Sequence, residues 1–149
     1  MPHSSNQLEA SLHRVPALVS SAPRVLDRLS RPLHDLRVSV TDRCNFRCGY
    51  CMPAAIYADE RRFLPSSQLL SFDEIVRVVA VTARELGVKK LRITGGEPLL
   101  RPRLTELVEG LAPLGLLEEL TLTTNGLLLA EHAAQLRAAG LDRVTISLD

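Results

Sequence analysis

Four short β-branched runs alternate with three amphipathic segments between Leu36 and Leu148, and this alternation constrains the fold more than any other feature. The runs are Leu36–Thr41, Val88–Thr94, Leu120–Thr124 and Val144–Leu148. Ser71-Phe72-Asp73-Glu74 is a capping box, with Ser at N-cap and Glu three residues on. It opens a helix with Phe72, Ile75, Val76, Val79, Ala83 and Leu86 on one face, and Gly87 stops that helix. Pro102 opens a second helix whose apolar face carries Leu104, Leu107, Val108 and Leu111, fraying at Pro113 and Gly115. A third runs from about Leu129 to Ala139 and stops at Gly140. Residues 52–70 read as irregular, broken by Pro53, Pro65, Ser66 and Ser67. Strands that alternate with helices predict right-handed crossovers and a parallel sheet. A (β/α) barrel and an open doubly wound sheet share this local pattern, and the sequence leaves both open. The last run ends the chain with no helix after it, which would leave Val144 and Ile146 at an unprotected edge. The expectation is that these 149 residues are the first part of a longer barrel.

With 46% hydrophobic residues but only 3% aromatic ones, the core must be built from Leu, Val, Ile and Ala. Lys plus Arg number 18 against 17 Asp plus Glu, a near-balance that argues against a nucleic-acid polymer as partner. Only Lys89 and Lys90 are lysines, and the arginines suit phosphate gripping. No apolar run is long enough for a membrane span, and no compact secretory signal opens the chain. Clustered free cysteines point to a reducing, cytoplasmic setting. Residues 1–30 show no sustained period and read as a disordered or loosely attached arm, leaving 31–149 as the ordered domain.

All three cysteines, Cys44, Cys48 and Cys51, fall within eight positions directly after the first strand. Three thiols in one loop cannot all form disulfides with one another, but they can converge on a metal centre. Structural zinc prefers four ligands. His3 and His13 lie in the arm, His132 lies mid-helix, and only His34 offers itself as a fourth. The spacing favours an iron–sulfur cubane with one open iron, and leaves zinc and redox thiols as alternatives. Gly95-Gly96-Glu97-Pro98 ends the second strand, where two glycines allow close approach of a ligand to the backbone or simply form a turn. Thr123, Thr124, Asn125 and Ser147 fall at the ends of later strands, the edge at which parallel sheets place their chemistry. Arg37 and Arg92 sit inside strands, either as anion grips or as members of interior salt bridges, for example with Glu97.

Cys-x3-Cys-x2-Cys with Tyr50 before the last cysteine resembles the signature of radical S-adenosylmethionine (SAM) enzymes. The longer strings are similar to those of the GTP 3',8-cyclase family of molybdenum cofactor biosynthesis. They are Ser39–Pro53, Phe63-Leu64-Pro65, Leu70–Ile75, Arg92–Arg101, Thr123–Gly126 and Val144–Asp149. The resemblance implies an α/β fold, a partial TIM-type (β/α) barrel with the first three to four βα units. It implies that Cys44, Cys48 and Cys51 are the catalytic metal ligands and bind a [4Fe–4S] cluster. Tyr50, Gly96 and Ser147 would contact S-adenosyl-L-methionine, and Arg37, Arg92 and Thr123 would contact GTP. The implied reaction spends one electron to cleave the sulfonium. A hydrogen then leaves C3' of GTP, and C3' closes onto C8 of guanine.

The same resemblance implies flavodoxin or ferredoxin as electron donor, cyclic pyranopterin synthase acting downstream, and a possible homodimer. Relatives carry a second three-cysteine [4Fe–4S] site, a later lysine for the triphosphate and a Gly-Gly tail, none of which this sequence contains. Two competing readings are another radical SAM enzyme, peptide-modifying or cofactor-maturing, and a non-catalytic iron–sulfur fragment.

Overall fold

The computed structural model describes residues 25–59 and 63–148. Most of the predicted arm, including His3 and His13, lies outside the described residues, as does Asp149. Within 25–33 the chain makes a small turn, closed by a bridge between Leu26 and Pro32 and by Asp27, whose carboxylate accepts from the N–H groups of Leu29 and Arg31.

Four strands, β1 (Asp35–Ser39), β2 (Lys90–Thr94), β3 (Glu119–Thr124) and β4 (Arg143–Ile146), form one sheet in the order β1-β2-β3-β4, every pair parallel. This order is consistent with part of a (β/α) barrel. A doubly wound sheet reverses direction at a switch point and puts helices on both faces. Here each strand is added beside the one before it. The predicted fourth run pairs over a shorter span than expected, ending at Ile146, although Ser147 N–H still donates to Thr124 O at 2.9 Å. Ile146 is 46% exposed at this edge.

The helices are α1 (Ala54–Tyr57), α2 (Phe72–Leu86), α3 (Leu104–Leu111) and α4 (Leu129–Ala138). The capping box at Ser71 is formed in both directions. Glu74 N–H donates to Ser71 Oγ at 3.2 Å, and Ser71 N–H donates to Glu74 Oε2 at 2.7 Å. Gly87 ends α2 with φ 79°, a left-handed conformation that costs glycine little. The second predicted helix starts later than Pro102 suggested. Arg103 takes φ 61°, outside the helical region, and its guanidinium reaches forward to the Glu106 carboxylate. The stretch predicted as irregular contains α1 and a 3-10 turn at Ser66–Gln68.

Strand periodicity sorts the sheet into two unlike faces. Leu36, Val38, Leu91, Ile93, Leu120, Leu122 and Val144 face the helices and form one cluster with Ile75, Val79, Leu104, Leu107, Val108, Leu111 and Leu136. The opposite face carries Asp35, Arg37, Lys90, Arg92, Glu119, Thr121 and Arg143 in register rows. Glu119 there joins Lys90 at 3.6 Å and Arg143 at 2.8 Å. One face is thus packed by helices and the other is polar. Beyond both, the C-terminal strand edge gathers four loops at one place.

Candidate functional site

Backbone hydrogen bonds carry the sheet past its strands and draw these loops together. Val40 N–H donates to Thr94 O at 2.9 Å, so the cysteine loop leaves β1 directly alongside the Gly95-Gly96 turn. Gly96 N–H then donates to Thr41 O, and Glu97 N–H to Arg43 O, both at 2.7 Å. The two glycines are required by this contact. A Cβ on Gly95 would lie 2.6 Å from Thr41 O, and one on Gly96 would lie 2.6 Å from the carbonyl carbon of Arg43. Space for chain against chain, and not only space for a ligand, therefore explains the pair.

Glu97 turns inward and is 1% exposed. Among the described residues it makes none of the salt bridges considered for it. Its Oε1 accepts from the Thr124 hydroxyl at 2.7 Å and from Leu99 N–H at 3.0 Å, and its Oε2 accepts from Asn125 N–H at 2.8 Å. Hydrogen-bond donors of this kind compensate a buried carboxylate and here tie the end of β2 to the end of β3. Arg101 braces the other side. It donates to Val40 O at 3.0 Å and Leu70 O at 2.7 Å while its guanidinium lies 5.1 Å from the Phe72 ring centre.

The cysteine loop folds back on itself. Cys51 N–H and Met52 N–H both donate to Cys48 O, at 3.0 and 2.9 Å. Arg47 donates to the carbonyls of Cys44 and Phe46 at 2.7 and 2.9 Å. Arg43 and Arg47 lie 5.7 and 5.6 Å from the Phe63 ring centre, and Tyr57 stacks on that ring at 6.0 Å. Cation–π contacts of this sort hold two charged side chains against one aromatic. Cys44, Cys48 and Cys51 are all free thiols. Among the described residues, no three or more His, Cys, Asp or Glu side chains are placed to hold a single metal ion. His34 lies at the start of β1, where its carbonyl accepts from Lys89 and Lys90, at the other end of the strand from the cysteines.

One cavity of about 580 Å³ opens at this edge. Its walls include Cys44, Cys48, Cys51, Tyr50, Gly96, Thr123 and Ser147, so seven of the nine residues singled out from the sequence meet there. Phe46, Thr94, Glu97, Thr124 and Asn125 complete much of the lining. Arg92 stands one layer behind. Its Nη1 donates to Thr123 Oγ1 at 3.0 Å and to Thr145 Oγ1 at 3.2 Å, which aims the guanidinium along the polar face beneath the cavity. Arg37 is exposed beside Arg92 in register and does not line the cavity. Thr124 and Asn125, read from the sequence as strand-end residues at this edge, also line it, whereas Arg101 and Phe63 were passed over. Those two lie within the quoted strings but carry no spacing signal.

A parallel α/β sheet with three thiols and a Gly-Gly-Glu-Pro turn at its C-terminal edge finds its class by comparison. The family model described as Radical SAM superfamily matches residues 38–149, and the chain belongs to that superfamily. Within it the chain is similar to proteins called GTP 3',8-cyclase. That of Staphylococcus haemolyticus (strain JCSC1435) is 56% identical over 126 residues, covering 85% of this chain and 37% of the relative. Those of Staphylococcus epidermidis (strain ATCC 35984) and Staphylococcus aureus (strain Mu3) are 56% and 55% identical, over 84% and 85% of the chain. The chain spans little more than a third of the length of these curated relatives. No helix among the described residues is long and apolar enough to cross a membrane.

Proposed function

We propose that this chain is the radical-generating part of a GTP 3',8-cyclase of molybdenum cofactor biosynthesis, holding a [4Fe–4S] cluster on Cys44, Cys48 and Cys51. The observation that carries the reading is the shared cavity. It joins the three thiols to Tyr50, Gly96, Thr123 and Ser147 at one strand edge, in a chain 56% identical to proteins of that name. The donor set fits the cluster. All three free thiols line the cavity, and each thiolate of a cubane binds its own iron, so the sulfurs need to face a common space and not a common point.

In this reading Cys44, Cys48 and Cys51 would hold the cluster, which when bound would supply the electron for cleaving the sulfonium of S-adenosyl-L-methionine. The protein's own groups do the rest by placement. Tyr50, Gly96 and Ser147 bind the cosubstrate in the cavity that Thr123 also lines. Thr123 and Arg92 receive GTP, with the guanidinium held by two hydroxyls and by no carboxylate among the described residues, so its charge is available to a phosphate. Arg37, the register neighbour of Arg92, adds a second cation on the same face. The sequential strand order supports reading the sheet as the first part of a (β/α) barrel whose polar face becomes the interior. The proposal includes residues 31–149 as the N-terminal part of that core, with 1–30 as an arm. A flavodoxin or ferredoxin donor, a downstream cyclic pyranopterin synthase, a possible homodimer and a cytoplasmic setting belong to the same reading.

The test uses the complete gene product, reconstituted without oxygen and supplied with dithionite, S-adenosyl-L-methionine and GTP deuterated at C3'. Deuterium in the 5'-deoxyadenosine together with a cyclised dihydro-GTP is the expected result. Cosubstrate cleavage without deuterium transfer would overturn the GTP assignment and leave the superfamily standing.

A further inference from the structure

Asn125 fastens the cysteine loop to the sheet. Its Nδ2 donates to Asn45 Oδ1 at 2.7 Å and lies 4.0 Å from Cys44 Sγ, at the outer reach of an N–H···S bond. Its Oδ1 accepts from Leu127 N–H at 3.1 Å. That acceptor role fixes the amide, because the oxygen must face Leu127 and the NH2 group must face the cysteines. The backbone is held too, since Asn125 N–H donates to the buried Glu97 carboxylate at 2.8 Å. Cys44 Sγ also accepts from Phe46 N–H at 3.4 Å. Among the described residues, Cys44 is the one cysteine of the three whose sulfur accepts such donors.

We propose that Asn125 is a positioning residue for the cluster site, fixing the loop through Asn45 and stabilising negative charge on the Cys44 sulfur, so that it raises the cluster's reduction potential. The inference rests on the reading that the three cysteines hold the cluster. As a thiolate, Cys44 no longer donates to Asn45 Oδ1, a contact of 3.8 Å for the thiol, and Asn125 becomes the donor that both groups share. Reduction adds negative charge to the cluster and its sulfurs, so a nearby N–H favours the reduced form. Outer hydrogen bonds to metal ligands act in this way generally, by orienting the ligand and tuning its charge.

The experiment is an EPR-monitored redox titration of the complete reconstituted protein, with iron and sulfide quantified first. Asn125→Ala removes the donor. Asn125→Asp keeps the shape and the Leu127 bond but puts negative charge beside the sulfur. The expected order of midpoint potentials is wild type highest, then Ala, then Asp. A threefold change in the reduced-to-oxidised ratio for Ala corresponds to about 28 mV, at 59 mV per tenfold for one electron. Folded variants that lose iron while the wild type retains it also support the positioning role. Variants that load fully and titrate at the wild-type potential refute it. A wild-type protein that takes up no iron or sulfide refutes the cluster reading beneath it, and the iron assay separates the two failures.

Discussion

Replacing Gly96 with alanine should damage the site through the backbone alone. The new Cβ would lie 2.6 Å from the carbonyl carbon of Arg43 and 2.9 Å from Asp42 O, where ordinary contact begins near 3.4 Å. These are main-chain atoms of the cysteine loop, and no flexible side chain stands between to yield. The loop must retreat by roughly an ångström, which stretches the two 2.7 Å bonds from Gly96 N–H and Glu97 N–H to that loop. Overpacking of this kind costs about 1–3 kcal/mol, and each lost backbone bond about 0.5–1.5 kcal/mol. Together they give about 2–6 kcal/mol, a large share of the stability of one domain. With an m-value of about 2 kcal/mol/M in urea, the unfolding midpoint should fall by about 1–3 M. Gly49→Ala is the internal control. Gly49 sits between Cys48 and Tyr50, yet a Cβ there meets nothing within 4 Å, and its φ is not positive. That variant should unfold within about 0.5 kcal/mol of wild type. Equal midpoints for Gly96→Ala and wild type would refute the close approach of the two loops.

Other consequences concern the frame around the site. Ser71→Ala should destabilise the protein by about 1 kcal/mol in urea unfolding by removing the α2 cap. The backbone bond from Ser71 holds the Glu74 carboxyl below its ordinary value of 4.5, so its contribution is present above that pH and is lost as pH falls through the lowered folded value. Glu74→Gln should therefore flatten that part of the stability–pH curve in acid unfolding. Glu97→Gln keeps one acceptor oxygen but turns an NH2 group toward either Asn125 N–H or the Thr124 and Leu99 donors, leaving a buried bond unmade. A loss of about 1–3 kcal/mol in urea unfolding is expected. Arg92→Met should weaken GTP binding, measured calorimetrically on the complete protein, at least tenfold, since a charge-assisted bond is worth about 1.5–3 kcal/mol.

Local signals read well because local physics decided them. The capping box at Ser71, the glycine stop at Gly87 and the α3 face of Leu104, Leu107, Val108 and Leu111 all formed as their spacing required. Arg103 shows the limit. Nothing in a Pro-Arg-Leu string announces a left-handed arginine that bonds forward to Glu106 and delays the helix by a turn's fraction. Strand order was illegible for a different reason. Each βα unit is locally identical in barrels and doubly wound sheets, and only pairing between distant strands distinguishes them. The same holds for Glu97. Charge bookkeeping suggested an arginine partner, whereas a hydroxyl and two backbone N–H groups satisfy it, and backbone donors leave no mark on composition. Asn125 was legible as a polar residue at a strand end, but the bond of its NH2 group to the Asn45 side chain was not, because it joins residues 80 apart in sequence.

The central claim is that Cys44, Cys48 and Cys51 hold a cubane whose open iron takes S-adenosyl-L-methionine. EPR of the anaerobically reconstituted and reduced protein, recorded with and without that cosubstrate, tests it directly. The expected result is a reduced [4Fe–4S] signal that changes on adding S-adenosyl-L-methionine and is lost in Cys44→Ser. A signal indifferent to the cosubstrate, or zinc bound in place of iron and sulfide, would contradict it.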